Sequence, residues 1–251
     1  MPVSGWTDEN RGSPGPRRSR GGAQERDVAA VARLIGDPAR SAILTALADG
    51  RALPAGELAA RAGVSPATAA VHLRRLVEGG LIRVRAQGRH RYHELAGARV
   101  AAALEALALL APSAVPARSL REHRDITALT EARSCYDHLA GRRGVELRDR
   151  LLDAGALRQL DERDHHLTTI GEQLLHNLDI DLPSLRASRR VFARCCLDWT
   201  QRRPHLAGAL PAALTARFLD LGWLTRRTGR GLRVTDDYQP GIDQWLHAAG
   251  A

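Results

Sequence analysis

The sequence predicts a mainly α fold with small β-hairpins, which places it in the α+β class. Three features of the 251 residues carry this prediction. Apolar residues recur at helical spacing in segments that open on a capping residue followed by proline. Short runs rich in strand-forming residues flank a glycine-containing turn, which indicates a hairpin. One stretch of the second half recurs further along the chain, which indicates two similarly folded units.

The first half of the chain is predicted to form helices, one hairpin and a final apolar helix. Asp37-Pro38 and Ser65-Pro66 each place a capping side chain before a proline at the first helical position. Gly63 is a typical helix end. The predicted helices are 25–35, 38 to near 50, 55–62, 66–78 and 96–111, and the predicted strands are 81–85 and 90–95 around a turn at Gln87-Gly88.

The second half contains an internal repeat. His138-Leu-Ala-Gly141 recurs as His205-Leu-Ala-Gly208, 67 positions later, and further identities at the same offset extend to Thr168 and Thr235. Each copy is predicted to form a helix, a polar hairpin and a second helix. That arrangement resembles a degraded winged helix, so we expect a duplicated C-terminal domain.

Residues 54–76 have the pattern of a helix-turn-helix. In such a unit one short helix supports a second, whose N-terminal half enters the major groove of DNA. Ala69, Leu73 and Leu76 share one face of the second helix and are expected to hold it to the core. Small residues at the front of the opposite face let the helix approach base edges. The predicted DNA-contacting residues of this helix are Ser65, Ala67, Thr68, Val71, His72, Arg74 and Arg75.

The hairpin that follows concentrates positive charge. Arg83, Arg85, Arg89, Arg91 and His93 lie along it, and such a wing can bind the DNA backbone or enter the minor groove. Residues 51–95 hold eight arginines and three acidic residues, a local charge of +5 in a chain of net charge +9. Arg89 and Arg91 are therefore predicted to contact DNA. The alternative is an ordinary two-helix corner with a solvated basic face.

Residues 25–112 resemble the ArsR family of winged-helix repressors. The resemblance rests on Asp37-Pro-Ala-Arg-Ser-Ala-Ile-Leu44, on the helix after Ser65 and on the wing Gln87-Gly-Arg-His-Arg-Tyr-His93. It implies a homodimer built on the first helix and the helix after the wing, and repression that an effector relieves. A dimer in turn predicts an inverted-repeat operator in double-stranded DNA. The dimer contacts that follow are Val31, Ala103, Leu107 and Leu110.

The sequence departs from the metal-sensing members of that family. The positions of their paired thiolates fall at Pro54 and Gly56, which have no side chain able to bind a metal. The helix after the wing offers only Glu105 as a ligand. We therefore expect no bound metal and no other cofactor.

The cysteines and histidines of the second half are the candidate effector residues. Cys135 and His138 lie three apart on a predicted helix, so they would share a face and could hold a metal, to which Cys195 and Cys196 could add thiolates. Burial as small apolar side chains is the alternative for the cysteines. The matching positions of His138 and His205 favour a structural role for both. The candidate effector or redox residues are Cys135, His138, Cys195, Cys196 and Trp199.

These patterns divide the chain into four predicted segments. Residues 1–24, rich in Gly, Pro, Ser and Arg, are predicted to form a disordered tail. Residues 25–112 form the DNA-binding and dimerisation domain, and 113–134 a helical linker. Residues 135–251 form the C-terminal domain, whose two winged-helix-like repeats cover about 135–180 and 202–247.

The function predicted from these features is sequence-specific DNA binding, with repression as its mode. No apolar run suits a membrane span or a signal peptide, and the few cysteines fit a reducing cytoplasm. Catalytic motifs are absent, and the chain has no lysine, which excludes Schiff-base chemistry, so we expect no enzyme. The alternative is a redox-active or small-molecule-binding protein whose helix-turn-helix serves only for dimerisation. The basic wing argues against it.

Overall fold

The structure, a computed structural model, describes residues 27–112, 119–227 and 229–248. The predicted tail at 1–24 and residues 113–118 of the predicted linker lie outside these residues. The described part forms an N-terminal unit and a C-terminal unit that contact each other. None of its helices is both long enough and apolar enough to cross a membrane.

The N-terminal unit is built from helices around a three-stranded sheet. Its elements are α1 Val28–Ile35, α2 Pro38–Leu47, β1 Leu53–Pro54, α3 Ala55–Ala62, α4 Pro66–Glu78, β2 Ile82–Gln87, β3 His90–Leu95 and α5 Ala98–Leu110. The strand order is β1-β3-β2, and all pairs are antiparallel. The predicted order of helices and hairpin is confirmed, and β1 is an additional strand that the sequence did not indicate.

Local side-chain chemistry explains where the helices begin and end. The Asp37 carboxylate accepts a hydrogen bond from the Arg40 amide at 3.0 Å, and the Ser65 hydroxyl accepts one from the Thr68 amide at 3.1 Å. Both bonds satisfy amides that have no partner within the helix. Gly63 ends α3 with a φ of 65°, a left-handed conformation that glycine adopts without strain.

The wing differs from its prediction by one residue. Gln87 pairs directly with His90, so the turn residues are Gly88 and Arg89 instead of the predicted Gln87-Gly88. Gly88 has a φ of 57°, which suits a tight two-residue turn. Arg89 therefore lies at the tip of the wing. The helix after the wing is also shorter than predicted and spans Ala98–Leu110.

The C-terminal unit contains the same order of elements twice, after a leading helix. That helix is α6 Leu120–Glu131. The first copy is β4 Arg133–Cys135, β5 His138–Ala140, α7 Arg142–Asp153, β6 Leu157–Gln159, β7 His165–Leu167 and α8 Thr169–Asn177. After α9 Leu182–Ala187, the second copy is β8 Arg194–Leu197, β9 Pro204–Ala207, α10 Ala209–Asp220, β10 Leu224–Arg226, β11 Leu232–Val234 and α11 Tyr238–His247.

Each copy opens on a hairpin that the sequence prediction missed. Cys135 and His138 were expected on a helix, and this expectation is wrong, because they lie on β4 and β5. The second hairpin begins at Arg194, eight residues before the position where the second repeat was predicted to start. Tyr136, in the first turn, has a φ of 62°. Strands of three or four residues are too short to show a reliable alternation of polarity.

The two copies share one hydrophobic core. Leu147 and Leu174 of the first copy belong to the same buried cluster as Leu214 and Phe218 of the second. The Trp245 indole donates a hydrogen bond to the Leu174 carbonyl at 2.8 Å, which joins α11 to α8. Neither copy would bury its apolar face alone.

Candidate functional site

The exposed face of α4 has the composition that a major-groove reader requires. Ala69, Leu73 and Leu76 are buried, as predicted, and fix the helix on the core of the N-terminal unit. The front of the opposite face carries small side chains, and arginines lie one to two turns further along. Exposed on this face are Ser65, Ala67, Thr68, Val71, Arg74 and Arg75.

His72 does not belong to that face, although it was predicted to contact DNA. Its side chain is largely buried, with Nδ1 3.7 Å from the Asp37 carboxylate that caps α2. Position 72 follows buried Ala69 by three residues and precedes buried Leu76 by four, so the helix turns it toward α2. We assign His72 to the contact between α4 and α2.

The arginines of the wing differ in whether a nearby carboxylate neutralises their charge. Arg83 forms a 2.8 Å ion pair with Glu94 on the neighbouring strand, and Arg85 lies 4.0 Å from the same carboxylate. Arg89 and Arg91 are exposed, and among the described residues no carboxylate pairs with either. They are therefore the wing cations best placed to bind phosphates.

His93 is excluded from the DNA-contacting surface of the wing. It is buried at the base of the hairpin, where β1 covers it through the Leu53 pairing. Burial lowers the pKa of His93, so the ring is neutral at pH 7 and carries no charge for a phosphate. From sequence, His93 was grouped with the basic residues of the wing. The alternation of side chains along a strand does not show which part of the strand the core covers.

Apolar side chains are exposed on the two helices predicted to form a dimer. None of the residues of α1 is buried, and Val31 is 42% exposed. On α5, Ala103 is exposed, Leu107 is 44% exposed and Leu110 is 82% exposed. Within a single chain this face has no covering element among the described residues.

Two cysteines and two histidines converge inside the C-terminal unit. Cys135, His138, Cys196 and His205 each direct one potential ligand atom into a space where these atoms lie within 4.8 Å of one another. We call these four residues the thiol–imidazole cluster. Cys135, His138 and His205 are buried, and Cys196 is half-buried. The rings of His138 and His205 stack with their centroids 5.2 Å apart.

The remaining effector candidates lie outside the cluster. The Cys195 side chain lies on the face of β8 opposite to that of Cys196, and its sulfur lies 4.0 Å from Nε2 of His165. The Trp199 indole lies against the Arg133 guanidinium at 4.9 Å. Trp199 also lines a cleft of about 730 Å³ between the two units, together with Ser41 and Arg227. Of the five candidates, Cys135, His138 and Cys196 therefore belong to the cluster. Cys195 lies beside it, and Trp199 lies in the wall of the cleft.

The thiol–imidazole cluster favours a negatively charged sulfur. The neighbouring Cys135 thiol and the two imidazoles hold the pKa of Cys196 far below its usual range, although burial opposes this effect. Burial lowers the pKa of His138, but the hydrogen bond with Asp137 and the nearby Cys196 sulfur outweigh this effect and raise that pKa. The four side chains bring two sulfurs and two imidazoles together, which is a donor set suited to a cation.

A buried ion network connects this cluster to α5. Arg133 is fully buried, and its Nη2 lies 3.1 Å from Asp198 and 3.3 Å from Glu105 on α5. Asp198 also lies 3.7 Å from Nδ1 of His205. Arg230 forms a second ion pair with Glu105 at 2.5 Å. The helix after the wing is therefore tied through charged side chains to the hairpins of the C-terminal unit.

Comparison with known proteins identifies the class of the molecule. A helix-turn-helix domain family matches residues 35–85, from the end of α1 into β2. The uncharacterized HTH-type transcriptional regulator YdfF of Bacillus subtilis (strain 168) is 41% identical over 222 residues, which cover 88% of this chain and 97% of that protein. The chain belongs to the HTH-type transcriptional regulators. The match is longer than the N-terminal unit, so the similarity extends into the C-terminal unit.

Two solved structures are similar to about a third of this regulator. The homodimeric winged helix-turn-helix DNA-binding domain of Mb0332 from Mycobacterium bovis, a possible ArsR-family regulator, is 30% identical and covers 33% of this chain and 76% of that chain, with a TM-score of 0.31. The cadmium sensor CMTR from Mycobacterium tuberculosis is 33% identical and covers 37% of this chain and 94% of that chain, with a TM-score of 0.29.

These results confirm the main prediction for the regulator. It is a DNA-binding winged helix-turn-helix transcriptional regulator. Its element order matches the one that the sequence predicted, with α3 and α4 as the helix-turn-helix and β2–β3 as the wing. The individual DNA contacts, the dimer contacts and the effector residues remain predictions.

Sequence reasoning did not place His205 beside Cys135, His138 and Cys196, although a signal for this arrangement exists. Ala132-Arg-Ser-Cys135 recurs as Ala193-Arg-Cys-Cys196, 61 positions later, whereas the His-Leu-Ala-Gly motif recurs 67 positions later. The change of offset marks six additional residues between the cysteine and the histidine of the second hairpin. A search for a repeat without gaps could not align Cys196 with Cys135.

Proposed function

We propose that this regulator is a homodimeric repressor that reads an inverted-repeat operator and that an effector releases. The observation that carries the proposal is the exposed face of α4, where Thr68 and Val71 stand at the front and Arg74 and Arg75 behind. Thr68 can donate or accept a hydrogen bond at a base edge, and Val71 suits a thymine methyl group. The proposed activity is binding and not catalysis, and its proposed place is the cytoplasm.

Base reading and phosphate binding are assigned to different elements. The front of α4 reads bases, because small side chains allow the helix to approach the groove floor. Arg89 at the wing tip and Arg91 on β3 bind the backbone, since both are exposed and neither is neutralised by a described carboxylate. Phosphate contacts position the protein and add affinity for any duplex.

The exposed apolar faces of α1 and α5 support the proposed dimer. Leu107 and Leu110 would stay in water in a single chain, and burying such side chains is favourable. A second copy with the same face would cover them symmetrically. Two wings and two recognition helices would then address half-sites centred about 10–11 base pairs apart, or a multiple of that spacing.

We assign effector sensing to the C-terminal unit and DNA reading to the N-terminal unit. Support comes from the contacts that join the units. The Tyr136 amide donates to the Ala48 carbonyl at 2.9 Å, and the Arg51 guanidinium donates to the Gly229 carbonyl at 3.2 Å. A change in the C-terminal unit can therefore alter the population of the DNA-competent arrangement. The repeated element order is consistent with the proposed duplication of a winged-helix-like segment.

The test begins with the DNA that the full chain selects. Genomic fragments are captured on the tagged protein and sequenced, and the enriched sequence is compared with a scrambled duplex of the same composition by fluorescence anisotropy. We expect an inverted repeat bound more tightly than the scramble by roughly a thousandfold or more. Equal affinity for both duplexes, or enrichment of single half-sites alone, would contradict the proposal.

The sign of regulation needs a separate measurement. Transcripts beside the enriched sites are compared between cells with and without the gene for this chain. Repression predicts that they rise when the gene is deleted. A fall would assign activation to the same DNA-binding surface and would overturn the repressor part of the proposal.

A further inference from the structure

The geometry of the thiol–imidazole cluster points to a metal site. Cys135 is the cross-strand partner of His138 in the first hairpin, and Cys196 is the cross-strand partner of His205 in the second. Each copy of the repeat thus contributes one thiol and one imidazole from equivalent positions. We propose that these four residues bind one tetrahedral Zn²⁺ ion, which joins the two hairpins of the C-terminal unit. This site replaces the expectation from the sequence that the chain binds no metal.

Unpartnered nitrogen atoms support a cation at this place. Both ring nitrogens of His205 are buried without a hydrogen-bond partner, and the same is true of Nε2 of His138. Buried polar atoms are almost always paired, so three unpaired nitrogens in one place require an explanation. A metal ion between the rings would accept a lone pair from each histidine. Ordinary packing of histidine side chains leaves these atoms unsatisfied.

A carboxylate lies beside Nδ1 of each imidazole, an arrangement common at metal-binding histidines, and Asp137 lies within hydrogen-bonding distance. Asp137 accepts a hydrogen bond from Nδ1 of His138 at 3.4 Å, and Asp198 lies 3.7 Å from Nδ1 of His205. The two aspartates occupy equivalent positions, since each lies two residues after its cysteine. A carboxylate at Nδ1 fixes the tautomer that leaves the Nε2 lone pair for the ion.

The donor set selects zinc among the common metals. Two sulfurs and two imidazole nitrogens with no carboxylate suit a tetrahedral Zn²⁺ site and do not suit Ca²⁺ or Mg²⁺. In a tetrahedron with usual zinc distances, neighbouring ligand atoms are separated by about 3.3–3.8 Å. The ligand atoms here lie within 4.8 Å, so a small inward movement of the side chains would complete the site.

Charge balance also fits this assignment. Two thiolates neutralise a divalent ion, so the filled site would be buried with no net charge. Protein side chains would fill all four coordination positions of the ion, as in zinc sites that stabilise a fold. No coordination position would be left for a substrate. The ion would close the link between the two copies where their hairpins meet.

A disulfide between Cys135 and Cys196 is the rival use of the same thiols. It would require an oxidant and would leave Nε2 of both His138 and His205 without a partner. Zinc uses all four side chains, and for this reason we favour it. The two alternatives give opposite results in a metal-binding experiment, because a disulfide removes both thiolates.

The experiment uses the full chain purified without chelators. Zinc content is measured by mass spectrometry after gel filtration, and free thiols are counted after denaturation with and without reductant. Zinc is then removed and replaced by Co²⁺, whose visible bands report tetrahedral geometry and whose near-ultraviolet bands report thiolate ligation. We expect one zinc per chain, three free thiols without reductant, and a cobalt spectrum with both sets of bands.

Cys195 provides a matched control because it lies beside Cys196 but outside the cluster. Cys195→Ser should keep one metal per chain and the thiolate bands, whereas Cys196→Ser should lower the affinity for Zn²⁺ at least tenfold or abolish binding. The wild-type cobalt spectrum remains decisive if Cys196→Ser does not fold. A reduced wild-type chain that binds no Zn²⁺ or Co²⁺, or cobalt bands without thiolate character, would overturn the proposal. Equal loss of metal in the two serine variants would overturn it as well.

Discussion

Arg133 occupies an unusual place for a charged residue, because its side chain is fully buried between two acidic groups. Glu105 reaches it from α5, and Asp198 reaches it from the turn of the second hairpin. Burial alone would raise the pKa of Asp198, but the Arg133 charge and several hydrogen bonds lower it, so the carboxylate stays ionised. A buried charge without its partner is costly, so this residue has little freedom to change.

Replacing Arg133 by methionine should therefore destabilise the chain strongly. Arg133→Met keeps most of the side-chain volume but leaves Asp198 buried beside fewer donors and Glu105 with Arg230 alone. We expect the free energy of unfolding to fall by about 3–5 kcal/mol. Arg142→Met is the control, because Arg142 forms exposed ion pairs with Glu131 and Glu146, each worth about 0–1 kcal/mol. Urea denaturation measures both, and a similar decrease in the two variants would contradict this account.

Single substitutions can test the proposed division between base reading by α4 and phosphate binding by the wing. Thr68→Ala and Val71→Ala should reduce the preference for the operator over scrambled DNA by about 1–3 kcal/mol at most, because they remove base contacts. Arg89→Ala and Arg91→Ala should weaken binding to both duplexes about equally. Anisotropy titrations of each variant with both duplexes test this. If the wing variants alone removed the preference, the two roles would be reversed.

The sequence did not predict the burial of residues that lie at the edge of the core. From sequence, His72 was predicted to contact DNA and His93 was placed among the basic groups of the wing, and both are largely buried. The helical wheel places position 72 at the border of the buried face, and only the Asp37 cap of α2 decides the side on which it lies. His93 is covered by β1, a two-residue strand without a sequence signal. Such contacts depend on tertiary packing.

At the scale of elements, the helices of the N-terminal unit were predictable because their end signals are local. The cap at Ser65 with proline after it and the glycine at position 63 fix helix limits within a few residues. The hairpins that carry the thiol–imidazole cluster depend on distant partners. The Leu139 amide donates to the Thr215 hydroxyl at 2.8 Å, and the Ser134 amide donates to the Arg230 carbonyl at 2.8 Å. No local pattern encodes those bonds.

The exposed stripe of α5 leads to a prediction about assembly. Leu107→Glu places a charge in the proposed dimer face and should give monomers in light scattering, with loss of tight operator binding. Leu160→Glu is the matched control, since Leu160 is also an exposed leucine but lies in the C-terminal unit after β6. The control should keep the mass and the affinity of the wild type. A wild-type chain that is monomeric while bound to its operator would contradict the dimer.

The whole molecule combines two cores through a small number of polar and charged links. The N-terminal core includes Ile43, Leu58 and Leu76, and the C-terminal core is shared by both copies of the repeat. Glu105 lies in the helix that follows the wing and contacts Arg133 and Arg230 of the C-terminal unit. The proposed dimer helix is therefore the element through which a change in the C-terminal unit would reach the DNA-binding surface.

The distribution of charge over the whole molecule gives the last prediction. The segment 51–95 carries a net charge of +5, and a dimer would present it twice to one duplex. Displacement of ions from DNA should then give a log–log slope of affinity against salt of about −5 or steeper. Arg89→Ala with Arg91→Ala should make this slope shallower, by about one for each phosphate that the variant no longer neutralises.

Arg158→Ala with Arg226→Ala is the control for that slope, because these exposed arginines lie on the equivalent hairpins of the C-terminal unit. If only the N-terminal unit contacts DNA, this double variant should keep the wild-type slope. Anisotropy with the operator duplex from low to high salt measures all three proteins. A flat response of the wild type would exclude the proposed phosphate contacts. An equal change in the two double variants would show that the C-terminal hairpins also bind the duplex, because a protein that neutralises fewer phosphates displaces fewer ions, whichever unit carries the arginines.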